Sequence, residues 1–126
     1  MSKYQRFEEL PAWQAAAELY NRVLDLFEEP NMPVTSTYRN QMERAALSIS
    51  NNIAEGFERS TTTELISFLS IGRGSAREVR SMVAVVKDRA KLARYAARLE
   101  EIGKLADSCV RQLNAWSMAV ENEVMA

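Results

Sequence analysis

The sequence predicts an all-α protein that folds as a single up-down-up-down four-helix bundle over residues 1–126. The 126 residues include only four Gly and three Pro, so few positions interrupt a helix. Hydrophobic residues make up 47% of the chain, which is enough to build a core. Apolar residues also recur at steps of three and four in four separate stretches, the spacing that gathers them on one face of a helix.

The first two helices are predicted over residues 11–28 and 36–59. Pro11 suits the first turn of a helix, and either Thr35 or Ser36 can cap the second one. Each segment carries one apolar stripe. The two stripes consist of Leu10, Trp13, Ala17, Tyr20, Leu24 and Phe27, and of Tyr38, Met42, Ala45, Ile49, Ile53 and Phe57.

The last two helices are predicted over residues 62–88 and 94–121. Thr61 and Glu64 fit a capping box at the start of helix three. The turn before helix four is placed within residues 87–94, although this segment holds no Gly or Pro, because one unbroken helix could not pack on itself. The core is predicted to include Trp13, Ile49, Ile53, Leu69, Val79, Leu113 and Trp116.

Helix two also carries a polar stripe beside its apolar one. An antiparallel helix three would set Arg44 level with Glu78, and the small residues Gly72 and Gly74 would let the two backbones approach closely. Two interpretations stay open: these polar positions are solvated, or they form an internal hydrogen-bonded network between the two helices. The network interpretation involves Gln41, Arg44, Ser48, Asn52, Glu55, Ser75 and Glu78.

A concentration of basic residues follows in helix three. Between Arg73 and Arg98 there are eight basic residues and two acidic ones, a local charge of +6 in a chain whose net charge is −1. Such cations suit phosphate contacts, whereas the alternative is a solvated face or intersubunit ion pairs with Glu100, Glu101 and the acidic first helix. We call the six cations with helical spacing the basic stripe, and they are Arg73, Arg77, Arg80, Lys87, Lys91 and Arg94.

Composition excludes several kinds of active site. The chain contains no His, and Cys109 is its only Cys. His-dependent triads, the usual zinc sites and the Glu-x-x-His pairs of di-metal bundles are therefore excluded. No nucleophile–base pair is visible, so we expect a protein that is not an enzyme and needs no metal or cofactor.

Hydropathy argues against a membrane protein. No apolar run approaches the roughly 20 residues that span a bilayer. The N-terminal sequence MSKYQRFEEL also lacks the apolar core of a signal peptide. We therefore expect a cytoplasmic protein with no membrane partner.

Two stretches, QMERAALSISNNIAEGFERS and ELISFLSIGRGSAREV, closely resemble the signature of a known family. It is the family of four-helix bundle proteins related to the 23S ribosomal RNA intervening-sequence protein. One departure is Gly72, where the family usually has Ala. The matching positions are Gln41, Arg44, Ala45, Ala46, Ser48, Ile49, Asn52, Ile53, Ala54, Glu55, Gly56, Arg59, Phe68, Leu69, Ile71, Gly74, Ser75 and Glu78.

The resemblance implies an all-α bundle that assembles as a ring-shaped homopentamer. More distant relatives resemble the accessory protein of diversity-generating retroelements, which binds nucleic acid and a reverse transcriptase. We therefore expect a non-enzymatic oligomeric adaptor that binds RNA or another anionic partner through the basic stripe. The alternative is a structural or protein-binding scaffold that does not bind nucleic acid.

Overall fold

The computed structural model describes residues 3–125 and confirms the all-α four-helix bundle. Its four long helices are α1 (Pro11–Phe27), α2 (Ser36–Phe57), α3 (Thr62–Val86) and α4 (Ala96–Met125). Two short 3-10 helices accompany them, over Phe7–Glu9 and Ala90–Tyr95.

The four helices follow one another around the bundle. α2 packs against α1 and α3, and α4 packs against α3 and α1, which closes the ring of neighbours. Short connections reverse the chain direction between neighbours, as an up-down-up-down bundle requires. Within residues 3–125, none of the helices combines the length and the apolar character that a bilayer-crossing segment needs.

The helix starts follow from local hydrogen bonds. Thr35 is the N-cap of α2, and its Oγ1 accepts a hydrogen bond from the backbone N–H of Tyr38 at 3.1 Å. Thr61 does the same for α3, accepting from the N–H of Glu64 at 3.2 Å. This is the half of the predicted capping box in which the N-cap hydroxyl satisfies a free backbone donor.

The connection between α3 and α4 differs from the sequence-based boundaries. α3 ends at Val86, and a 3-10 helix over Ala90–Tyr95 precedes α4. We call this 3-10 helix the connecting helix. Leu92 and Tyr95 on it are only 1% and 6% exposed, so packing against the core fixes a segment that has no Gly or Pro to mark it.

The core prediction is confirmed at five positions and wrong at two. Both tryptophans, Trp13 and Trp116, are only partly buried and pack on the edge of the core. Trp13 lies in the first turn of α1, where its ring meets that of Phe7 edge-on with the centroids 5.3 Å apart. The other five predicted core residues are fully buried, and they are Ile49, Ile53, Leu69, Val79 and Leu113.

Candidate functional site

Two cations of the basic stripe are already engaged within the protein. Arg73 Nη1 donates a hydrogen bond to Asn114 Oδ1 at 2.7 Å, which ties α3 to α4. Further along α3, Arg80 Nε lies 2.8 Å from Asp107 Oδ1 in an ion pair. The Arg80 charge is therefore compensated locally, and less of it is available to an outside anion.

Arg77 and Lys87 lie on the same side of the molecule but keep their charges free. Both side chains are exposed and line a groove of about 770 Å³ between α3 and α4. Neither forms an ion pair with another residue of the part of the chain that the structure describes. The groove also contains Lys104 and Glu100, which pair with each other at 3.4 Å.

The last two stripe residues are not part of α3. Lys91 and Arg94 lie on the connecting helix, so the helical spacing read from the sequence does not run unbroken from Lys87 to Lys91. Both side chains are exposed. The Arg94 guanidinium lies over the ring of Tyr95, 5.2 Å from its centroid. The basic stripe is thus divided between α3, with its C-cap Lys87, and the connecting helix.

Arg89 is a cation that the sequence reasoning did not include in the stripe. It is the N-cap residue of the connecting helix and is exposed. Helical spacing from Lys87 excludes position 89, whereas the local density of charge in the sequence KDRAKLAR includes it. A count of charge in a sliding window is the signal that finds this residue.

The polar residues of α2 and α3 meet in a small hydrogen-bonded cluster. Ser75 Oγ donates to Ser48 Oγ at 2.9 Å across the two helices. Asn52 Nδ2 donates to the same Ser48 Oγ at 2.9 Å and to the Ser48 carbonyl oxygen at 2.7 Å. These three residues of the proposed network are joined, and they lie beside the close contact at Gly72.

The other four residues of that network are not joined to it. Gln41, Arg44 and Glu78 line an adjacent cleft of about 510 Å³, and within residues 3–125 Arg44 and Glu78 form no ion pair. Glu55 pairs instead with Arg59, four residues later and just beyond the end of α2, at 2.6 Å.

The two glycines of α3 that were predicted to allow close packing, Gly72 and Gly74, have different surroundings. A Cβ on Gly72 would lie 3.6 Å from Asn52 Cβ, so α2 and α3 do approach closely there. Gly74 faces open space, because a Cβ at this position would meet no neighbouring atom within 4 Å. Gly74 is therefore not part of a close contact between two helices.

Cys109 is a free cysteine buried in the core. Burial raises the pKa of the Cys109 thiol to about 11, which keeps it protonated and unreactive near neutral pH. Among residues 3–125, no group of three or more Asp, Glu, Cys or His side chains is placed to hold a metal ion.

The chain belongs to the 23S rRNA-intervening sequence protein family, whose model matches residues 8–115. The match spans α1, α2, α3, the connecting helix and most of α4. No curated protein is significantly similar to the chain in sequence.

Proposed function

We propose that this member of the 23S rRNA-intervening sequence protein family is a non-enzymatic oligomeric adaptor that binds RNA or another anionic partner through its basic stripe. The observation that carries the proposal is a set of exposed cations without an internal partner. Arg77, Lys87 and Lys91 are exposed, and none forms an ion pair within the described residues. Phosphate contacts need such cations and no catalytic group.

The proposed assembly is a homopentamer, as the family resemblance implies. Ile71 and Val85 support a subunit contact, because they are 52% and 74% exposed. They lie seven residues before and after Glu78, so all three share one side of α3. A ring would repeat the basic stripe around its axis and strengthen the field at its surface.

A protein-binding scaffold without nucleic-acid binding is the second candidate. It is favoured by the Arg80–Asp107 ion pair, which reduces the charge available to phosphates. Exposed apolar side chains such as Ile71 and Val85 would then contact another protein, and the free cations would only face water.

Retention of a labelled structured RNA on a filter, measured across a salt series, separates the two candidates. We expect binding that falls steeply as salt rises, because phosphate contacts release counterions. The double variant Arg77→Gln/Lys87→Gln should bind more weakly at each salt concentration. The matched control Lys3→Gln/Arg111→Gln removes the same charge from elsewhere and should bind nearly as the parent does. If the parent retains no RNA, or if both variants lose RNA binding equally, the protein-binding scaffold is the better-supported candidate.

Light scattering tests the assembly independently of RNA. The parent should have the mass of an oligomer, and Ile71→Ser/Val85→Ser should lower that mass while keeping the helical circular dichroism. A parent protein with the mass of a monomer would refute the assembly.

A further inference from the structure

We infer that the principal phosphate contact of this protein is the connection between α3 and α4, at a corner of the bundle that carries Lys87, Arg89, Lys91 and Arg94. We call these four residues the corner cluster. The inference rests on the proposed function and specifies which part of the cationic surface meets the partner. It also adds Arg89 and moves the site away from the middle of α3.

The conformation of the connecting helix explains why its cations face outward. A 3-10 helix has three residues per turn, so positions i and i+3 lie in one row along it. Leu92 and Tyr95 form one such row and are 1% and 6% exposed, which fixes that row against the core. Lys91 and Arg94 form a second row, about 6 Å apart along the axis, and must lie on another side.

The corner cluster differs from the other cations of the basic stripe, Arg73, Arg77 and Arg80, in how much of its charge is free of internal partners. Within residues 3–125, no corner cation forms an ion pair. Asp88 is the one acidic residue among positions 87–94. Earlier on α3, by contrast, Arg80 pairs with Asp107 and Arg73 is hydrogen-bonded to Asn114. An anion that approaches the corner therefore does not have to displace a carboxylate from these cations.

The segment is also held in place before any partner arrives. Its two buried side chains anchor it, and the Arg94 guanidinium is supported by the ring of Tyr95. A cation that is already positioned loses less conformational entropy on binding than one on a mobile loop.

The residues between the cations indicate a nucleic-acid backbone rather than a protein or a lipid surface. Ala90 and Ala93 form the third row of the connecting helix, and both are exposed. Protein interfaces are anchored by large apolar or aromatic side chains, and membrane-surface helices insert similar groups. Alanine offers neither, whereas phosphate contacts need only the charges and hydrogen-bond donors present.

Two triple variants of equal net charge test this assignment. The corner variant is Arg89→Gln/Lys91→Gln/Arg94→Gln. The second variant, Arg73→Gln/Arg77→Gln/Arg80→Gln, changes three cations of α3, and we call it the groove variant because Arg77 and Arg80 line the groove. Each removes three positive charges, so a nonspecific effect of net charge is the same in both. The measurement is the slope of log binding constant against log salt for the labelled structured RNA.

We expect the corner variant to reduce the magnitude of that slope by about 2 to 3, one unit for each lost phosphate contact. The groove variant should reduce it by about 1 or less, because Arg77 is the one residue of its three that has no internal partner among the described residues. Arg89→Gln alone, which removes no observed contact, should reduce the slope by about 1, and Arg89→Lys should restore it. This single variant keeps the test valid if the triple variant unfolds.

Three results would overturn the assignment. If the groove variant loses more of the slope than the corner variant, the corner is not the principal contact, although RNA binding stands. If the parent retains no RNA but binds polyglutamate or phosphatidylserine vesicles, the partner class is wrong. If the parent binds none of these probes at low salt, the proposed function itself fails.

Discussion

The hydroxyl groups of Ser48 and Ser75 meet across α2 and α3, with their oxygens 2.9 Å apart. Ser48 is the shared acceptor of this cluster, because Asn52 Nδ2 also donates to its hydroxyl and to its carbonyl oxygen. All three side chains are partly buried, so a group that loses its partner is not fully compensated by water. The cluster therefore holds α2 and α3 in one register.

Ser48→Ala should destabilise the protein more than Ser75→Ala, because it removes the hydroxyl that accepts from both Ser75 and Asn52, whereas Ser75→Ala removes one donor only. We expect losses of roughly 1–2 kcal/mol and about 0.5–1 kcal/mol in the free energy of unfolding. A double-mutant cycle on the pair should give a coupling of about 0.5–1.5 kcal/mol. Urea unfolding of the parent, both single variants and the double variant measures it.

A second cycle serves as the control. Arg44 and Glu78 line the neighbouring cleft without forming an ion pair, so their coupling should be close to zero. Strong coupling between these two, or none between Ser48 and Ser75, would show that the polar contact between the helices is arranged differently.

Helix positions and much of the core could be predicted from periodicity alone. Ile49 and Leu69 fall on clean apolar stripes, and burying such a stripe leaves little choice of orientation. The same pattern does not show how deeply each residue of a stripe is buried, because residues near the end of the bundle have fewer neighbours. Trp13 and Trp116 continue their stripes but sit near one end of the bundle, where fewer neighbours cover them.

The candidate site was harder to predict because it depends on a break in the helix. The sequence around Ala90–Tyr95 contains good helix formers, and only tertiary packing of Leu92 and Tyr95 reveals the 3-10 conformation. Ion pairing is equally hidden, since Arg80 and Asp107 are far apart in sequence. The density of basic residues could be read from the sequence, but the sequence does not show which of these cations form ion pairs within the protein.

Ile53→Ala and Leu113→Ala test the core. Both side chains are completely buried, so truncation leaves a cavity and should cost roughly 2–5 kcal/mol in the free energy of unfolding. Met118→Ala is the control, because Met118 is 62% exposed and should change stability by less than about 0.5 kcal/mol. Denaturant midpoints measure all three. Unchanged midpoints for both core variants would contradict the assigned faces.

Tyr38 should make stability fall at alkaline pH. Its hydroxyl donates to the Met82 carbonyl oxygen between α2 and α3, and burial raises the pKa of Tyr38 to about 12 from its ordinary value of 10.0. Below pH 10 the hydroxyl is protonated in both states. Between about pH 10 and 12 the unfolded chain loses this proton first, so the free energy of unfolding decreases as pH rises.

Tyr38→Phe should remove that part of the pH dependence while costing about 1 kcal/mol at pH 7 for the lost hydrogen bond. Urea unfolding at pH 8, 9, 10 and 11 measures the slope for both proteins. Cys109, whose pKa is also raised, is present in both and contributes equally. Identical slopes would mean that the pKa of Tyr38 is the same in the folded and unfolded states.

Replacing glycines of α2 and α3 with alanine should change stability by different amounts at different positions. Helix propensity favours alanine at each position by up to about 1 kcal/mol, but the room for an added Cβ differs between them. A Cβ on Gly72 would meet Leu113 Cδ1 at 3.5 Å, an ordinary contact, and one on Gly74 would meet nothing within 4 Å. Both Gly72→Ala and Gly74→Ala should therefore raise the free energy of unfolding by roughly 0.4–1 kcal/mol.

Gly56→Ala should gain less than either or lose stability, because its Cβ would lie only 3.1 Å from Leu65 Cδ1 and from Phe68 Cβ. The Leu65 methyl group can turn away, but Phe68 Cβ is attached directly to the α3 backbone and cannot move without it. Gly56 therefore lies at a tight contact, where the last turn of α2 meets the first turns of α3. Thermal and urea unfolding of the three variants rank them. A gain at Gly56 equal to that at Gly74 would show that α3 can shift away at no cost.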